Sequence, residues 1–301
     1  MELLFLGTGG SVPTPDRNTM ALALRNGQHM LLFDCGEGTQ RQFMRSRFSF
    51  MRLDRVFITH MHGDHFLGVL GLVQSMNFSG RERPLELFGP KGIEDVARQS
   101  VMLGHFELCF PLYWRELVPG DVVHGDGYSV TAVPTSHLPH SLGYVYEEDE
   151  RPGRFDPQKA KEMGVPEGPM FSRLQDGRPV VVEGRTITPD QVMGPPRKGM
   201  KMAYSGDTLP DKRFIQAAKG SDAMVHEATT DSSLQEKANQ YMHSTARQAA
   251  EAASQAEARR LFLVHISGRY EDTSSLLNEA REVFPESYLP NDLDLVEIKR
   301  Q

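Results

Sequence analysis

The densest chemistry in the chain is His60-Met61-His62-Gly63-Asp64-His65, three imidazoles and a carboxylate in six positions at the end of an apolar stretch, Leu53 to Thr59. So many polar groups cannot be hidden without a partner, and a metal ion is the economical one. Imidazole and carboxylate suit Zn²⁺ or Mn²⁺. The only two cysteines, Cys35 and Cys109, have no CxxC spacing, which argues against a closed thiolate zinc site or a disulfide framework. In an extended segment His60 and His62 project the same way and can share one ion, while Asp64 and His65, opening a helix, turn toward a second. Two ions need further ligands, and three more polar residues follow apolar strands: His137, Asp207 and His265. His140 competes with His137, and the residue chemistry leaves that choice open.

Elements that could position these groups alternate along the chain. Leu3 to Leu6 reads as a buried strand entering the turn Gly7-Thr8-Gly9-Gly10, which lacks both a following GK[ST] and the dinucleotide-binding spacing and is therefore read as a tight turn at a sheet edge. Residues 20–25 and 28–34 flank Asn26-Gly27, a hairpin signal. Further strands are predicted at 53–59, 84–88, 128–135, 142–147, 201–205, 223–226, 260–266 and 293–298. Helices are predicted at 37–45, 65–76, 91–103, 211–219, 244–258 and 273–283. This mixture predicts an α/β fold of sheets covered by helices. Arg55-Val-Phe-Ile-Thr-His60 and Arg260-Leu-Phe-Leu-Val-His265 echo one another, as two halves of a sandwich meeting at a histidine-bearing seam would.

The chain has 301 residues, 39% of them hydrophobic, which is enough for one large α/β domain with an insertion. With no apolar run of about 20 residues, no membrane span is expected. The N-terminus carries no basic leader, and together with the cysteine usage this predicts a cytoplasmic protein. Net charge is −7, yet residues 151–201 hold ten Lys/Arg against six acids, with eight of the 19 prolines. Long regular elements are not expected there, and the segment is read as a protruding basic arm. A second basic stretch, Arg41, Arg45, Arg47, Arg52 and Arg55, is opposed only by Asp54. Basic residues concentrated in this way allow a polyanionic substrate despite the overall charge.

His60-x-His62-x-Asp64-His65 is similar to the hallmark of the metallo-β-lactamase fold, and the other motifs resemble the ribonuclease Z family of tRNA 3′-processing endonucleases, in its short form. They are Leu6-Gly-Thr-Gly-Gly10 with Pro13, Phe33-Asp-Cys-Gly-Glu-Gly-Thr-Gln40, His226-Glu-Ala-Thr229, His243-Ser-Thr245 and His265-Ile-Ser-Gly-Arg-Tyr270. The resemblance implies one metallo-β-lactamase-like αββα sandwich over 1–301, with 151–199 inserted as a tRNA-binding exosite. It also favours His137 over His140, from the six-residue step to Gly143. It implies two zinc ions per chain, one held by His60, His62 and His137, the other by Asp64, His65 and His265, with Asp207 bridging. Asp64, Glu227 and His243 become the candidate catalytic residues, His243 donating a proton to the leaving oxygen and Glu227 orienting it. His226 would stand just behind the ligands. Ser267, Arg269, Arg173, Arg197 and Lys198 are candidate substrate contacts, whereas His29, His105 and His124 have no such context. The implied substrate is precursor tRNA, cleaved to leave a 3′-hydroxyl on the tRNA body, by a homodimer in which one subunit's arm grips the tRNA cut by the other. The alternative is a hydrolase of the same fold acting on another phosphodiester or a small molecule. A decayed, non-catalytic scaffold is disfavoured because all seven ligand positions are filled.

Overall fold

The computed structural model describes residues 1–104 and 107–300; His105 lies outside the described residues. Two seven-stranded sheets make up most of the larger of two compact units, which comprises Met1–Gly125, Val130–Tyr146 and Met200–Gln301. In the first sheet the strand order is Leu295–Glu297, Glu2–Gly7, Ala21–Asn26, His29–Phe33, Arg55–Phe57, Leu85–Gly89, Leu112–Glu116. In the second it is Ser287–Tyr288, Leu261–Val264, Ala223–Glu227, Lys201–Tyr204, Leu142–Glu148, Tyr128–Pro134, Val122–Gly125.

Most central strands carry an apolar run, Leu3 to Leu6, Ala21 to Leu24 and Leu261 to Val264 among them, and the two faces are buried differently. In Glu2–Gly7, Leu4 and Leu6 join a core formed with the helices Thr39–Arg45, Gly68–Phe78 and Ile93–Met102. Val69, Leu72, Val73 and Met76 of the second helix supply a stripe at the 3.6-residue period. The opposite faces meet through aromatic rings: Phe33 lies 6.0 Å from Tyr144 and 5.8 Å from Tyr204, and Phe5 lies 5.5 Å from Phe262. On the second sheet the helix Ala246–Gln255 buries Ala246, Ala249, Ala250, Ala252 and Ala253, small side chains that let it approach the strands closely. The result is an α/β sandwich.

His29–Phe33 pairs parallel with Arg55–Phe57, and Lys201–Tyr204, Ala223–Glu227 and Leu261–Val264 also run parallel. Their carboxyl ends lead into Asp34, Thr59–His65, Ser205–Asp207, Glu227–Thr229 and His265. Clefts of open parallel sheets form at such ends.

Several boundaries differ from the sequence expectation. The hairpin pairs Asn26 with His29, so its two-residue loop is Gly27-Gln28, and only Gly27 takes a positive φ. The helix expected at 65–76 is two helices, Gly63–Phe66 and Gly68–Phe78. The edge strands Leu112–Glu116 and Val122–Gly125 were not expected.

The second unit comprises Asp126–Ser129 and Glu147–Gly199. It has its own small core of Ala160, Val165, Leu174, Val180, Ile187 and Val192. A short hairpin pairs Val180–Val182 with Arg185–Ile187, turning at Glu183 and Gly184 with φ of 49° and 76°. The prolines do not prevent helices here. Pro157, Pro169 and Pro189 each open one, where a missing N–H leaves no bond unmade. No helix among the described residues is long and apolar enough to cross a membrane.

Candidate metal centre

The strand Arg55–Phe57 runs on through Thr59, whose N–H and hydroxyl both donate to the buried Asp34. His60 and His62 follow in extended chain; His62 then caps the helix Gly63–Phe66, which presents Asp64 and His65 from its first turn. From the second sheet, Asp207 follows Lys201–Tyr204 and His265 follows Leu261–Val264, with a φ of 59° at His265. Gly10 lets the first loop pass across the His265 ring, since a Cβ there would stand 2.6 Å from its Cε1. The glycine-rich turn thus serves close packing on a site histidine.

These side chains converge on one carboxylate oxygen. Asp207 Oδ2 lies 3.6 Å from His60 Nε2, 3.4 Å from His65 Nε2, 3.9 Å from His137 Nε2 and 3.3 Å from His265 Nε2. Asp64 Oδ2 lies 3.6 Å from His65 Nε2 and 3.4 Å from His265 Nε2. His62 Nδ1 is 3.0 Å from His60 Nε2 and 3.2 Å from His137 Nε2. Donor atoms about 2.0–2.1 Å from a tetrahedral ion are separated by about 3.3–3.4 Å, so these spacings suit two groups of ligands sharing Asp207.

The far side of each ring decides where its proton sits. His65 Nδ1 donates to Asp34 Oδ2 at 2.7 Å, and His137 Nδ1 donates to the Met242 carbonyl at 3.0 Å. Thr59 spends its hydroxyl proton on Asp34, so it accepts from His60 Nδ1 at 3.0 Å. Thr229 spends its own on Glu227 Oε2, so it accepts from His265 Nδ1 at 2.9 Å. Four Nε2 atoms are thereby directed toward a carboxylate that, ionised, only accepts. His65 Nε2 and Asp207 Oδ1 are buried with no hydrogen-bond partner. A cation is what this arrangement of lone pairs calls for, and the residues fit a divalent metal.

Electrostatics agree. Burial pushes His60, His62 and His137 down, toward the neutral imidazole that ligates. Against burial, Asp207 and Asp34 push His65 up, and His265 and His65 hold Asp207 well below the carboxylate range. The centre therefore favours positive charge among its carboxylates.

His243 stands beside these groups, its Nδ1 2.9 Å from Glu227 Oε1 and 3.9 Å from Asp207 Oδ2. Glu227 is buried and fixed by the N–H of Thr208 at 3.0 Å and the hydroxyl of Thr229 at 2.7 Å. Burial opposes a charged His243, but Glu227 overrides it and raises the imidazole to about 9. Its place in the chain is also determined: Thr245 caps the helix Ala246–Gln255, and Ser244 donates to the Thr208 carbonyl at 2.6 Å. A cleft of about 430 Å³ opens over the cluster, lined among others by Val12, Glu37, Leu67 and His243.

The chain is similar to known proteins over its full length. Residues 1–144, under half of the chain, match the family described as anti-Pycsar protein Apyc1. The ribonuclease Z of Methanothermobacter thermautotrophicus is 46% identical over 99% of this chain and 97% of that protein. The chain belongs to the ribonuclease Z family. Human tRNase Z, short form (ELAC1), is 28% identical with a TM-score of 0.74, covering 100% of both chains. The metallo-β-lactamase fold protein YhfI from Bacillus subtilis, at 15% identity and a TM-score of 0.71 over 98% of each chain, shares the fold alone. As a ribonuclease Z, the chain is a metal-dependent endoribonuclease of the metallo-β-lactamase fold.

Within this ribonuclease Z the structure brings together His60, His62, Asp64, His65, His137, Asp207 and His265, with His243 and Glu227 alongside. His140 is exposed and outside the cluster. His226 is buried, its Nδ1 2.8 Å from the Glu227 carbonyl and its ring edge-on to Phe214. Ser267 accepts from Arg269 Nε at 3.0 Å, and neither lines the cleft. Arg173, Arg197 and Lys198 are exposed in the second unit. Sequence reasoning missed Asp34, Thr59 and Thr229, which orient the rings. Asp34 and Thr229 lay inside motifs already quoted but had no role there.

Proposed function

We propose that this ribonuclease Z removes the 3′ trailer from precursor tRNA by phosphodiester hydrolysis, using two zinc ions and leaving a 3′-hydroxyl on the tRNA body. The observation that carries the reading is the four Nε2 atoms directed at Asp207, with the His243–Glu227 pair beside the same carboxylate. His60, His62 and His137 would hold one ion, Asp64, His65 and His265 the other, and Asp207 both. When bound, such a pair lowers the pKa of water and neutralises charge on a phosphoryl oxygen.

The remaining work falls to the chain. Glu227 holds the Nδ1 proton of His243, so the proton that His243 can give up is on Nε2, in a side chain that lines the cleft. There it protonates the 3′ oxygen as that oxygen leaves. Asp64 accepts the Ser11 N–H at 2.7 Å, which fixes the carboxylate and the loop above it. The exposed cations of the second unit, Arg173, Arg197 and Lys198 among them, would hold phosphates of the folded tRNA, and Ser267 and Arg269 would meet substrate near His265. The reading includes a cytoplasmic homodimer. Metal analysis of the purified protein, joined to cleavage of a precursor tRNA carrying a 3′ trailer, tests it. One tightly held ion with full activity, or no cleavage at the trailer junction by metal-replete enzyme, would refute it.

A further inference from the structure

The helix Thr39–Arg45 and the turn after it carry a charge pattern that the fold does not use. From Thr39 to Leu53 there is no Asp or Glu, yet Arg41, Arg45, Arg47 and Arg52 are all present and all exposed. What holds this segment down is different: Thr39, Gln42 and Phe43 are buried on the helix and Phe50 on the following turn, and Gln42 Nε2 donates to the Leu6 carbonyl at 2.8 Å. Apart from Arg45, which braces Gln42, the guanidinium groups make no hydrogen bond to that packing among the described residues. Among the described residues none of the four meets a carboxylate, and the one hydrogen bond among them runs from Arg45 to the neutral Gln42 Oε1. Asp54, the next acid along the chain, is taken by Arg83.

Several arginines elsewhere in the larger unit are neutralised, whereas Arg115, Arg269 and Arg281, far apart in the chain, meet only neutral acceptors. Arg98 pairs with Glu94 at 2.6 Å, Arg213 with Asp211 at 2.5 Å and Arg247 with Glu282 at 2.7 Å. Four uncompensated positive charges within 12 positions of a chain of −7 repel one another, which favours an anionic partner. All four are arginine, whose planar fork matches phosphate oxygens better than an ammonium does. The segment also starts at the site: Glu37 lines the cleft, Gly38 caps the helix, and Arg41 and Arg45 follow one turn apart on one face.

We infer that Arg41, Arg45, Arg47 and Arg52 form a phosphate-binding row that takes the backbone of the RNA flanking the scissile bond, separately from the basic second unit. The row rests on the RNA-processing reading above and extends it to a second surface. Its contacts are electrostatic and carry no base specificity.

The test compares two triple variants of the metal-loaded protein with equal charge change, Arg41→Gln/Arg45→Gln/Arg47→Gln and Arg98→Gln/Arg213→Gln/Arg247→Gln. Binding of a precursor tRNA is measured across a salt series, with KM and kcat, metal content and molar mass by light scattering. The row variant should show a log K versus log salt slope shallower by about 2–3, from about 0.7–0.9 for each of three lost phosphate contacts, and a raised KM at similar kcat. The control variant should keep the parent slope. Equal slopes for both variants would overturn the row, and so would a weaker row variant whose molar mass had halved, because Met44, 64% exposed on the same helix, would then mark a contact between copies. Failure of the parent to cleave the precursor would instead strike the RNA-processing reading, while the slope comparison would still judge the row.

Discussion

Asp34→Asn isolates the layer behind the metal ligands. The Asp34 carboxylate is buried and takes the Thr59 N–H at 2.7 Å, the Thr59 hydroxyl at 2.9–3.0 Å, His65 Nδ1–H at 2.7 Å and the Tyr204 hydroxyl at 2.8 Å. Asparagine is nearly the same size, so no cavity forms. Its oxygen can stay with the Thr59 N–H, which leaves the NH₂ group facing His65 Nδ1 and the Tyr204 hydroxyl. His65 can accept there only by moving its proton to Nε2, the atom 3.4 Å from Asp207. A ring protonated at Nε2 cannot ligate. Loss of such an orienting partner typically lowers metal affinity by about 10–100-fold, or about 1.4–2.7 kcal/mol. In the metal-free protein, losing hydrogen bonds to a charged acceptor costs about 1.5–3 kcal/mol each, partly offset because the lone carboxylate no longer has to be buried. Competition with a chelator of known affinity measures the first effect, and denaturation of the metal-free protein measures the second. The substitution should weaken one ion more than the other, because the Asp64–His65–His265 group contains His65 and the His60–His62–His137 group does not. Unchanged affinity for both ions, in a folded variant, would refute the proton assignment on which the metal centre is argued.

His243→Ala should lower kcat by about 10²–10⁴-fold while metal content and RNA affinity stay near the parent values; loss of metal would make His243 a ligand. Gly10→Ala places a methyl carbon 2.6 Å from the His265 ring, so metal analysis should find depletion in a protein whose far-ultraviolet circular dichroism is unchanged. Full metal retention would show that the first loop can move aside. Replacing Arg154–Lys198 by a short linker should sharply weaken precursor tRNA binding yet retain hydrolysis of a small chromogenic phosphodiester. Parallel collapse of the small-diester activity, with metal still bound, would make the second unit part of the cleft.

What could be read in the sequence depended on how far apart the interacting residues lie. The histidine cluster was visible because four ligand candidates fall within six positions, and Asp207 and His265 because each is a polar residue directly after a buried strand. The echo between the strands ending at His60 and His265 is real in space, since both rings face Asp207. His137 and His140 could not be separated by residue chemistry, because both sit on one irregular turn; the approach of His137 Nε2 to His62 and Asp207 distinguishes them in space. The edge strand Leu112–Glu116 escaped notice because four of its five residues are exposed and it lacks a buried alternation.

Asp34 shows why the orienting layer was hidden. Its partners Thr59, His65 and Tyr204 lie 25, 31 and 170 positions away, and nothing about a lone aspartate beside Cys35 announces them. Ligand type is a local property of sequence, whereas the protonation of His65, His265 and His137 is set by partners 31, 36 and 105 positions away. Each of the four rings aimed at Asp207 has its Nδ1 held by a different neighbour, drawn from Thr59, Asp34, Met242 and Thr229. A substitution at any of the three side-chain partners can therefore disable the site with every ligand still in place, so screening ligands alone would leave the proton-directing half of the metal centre untested.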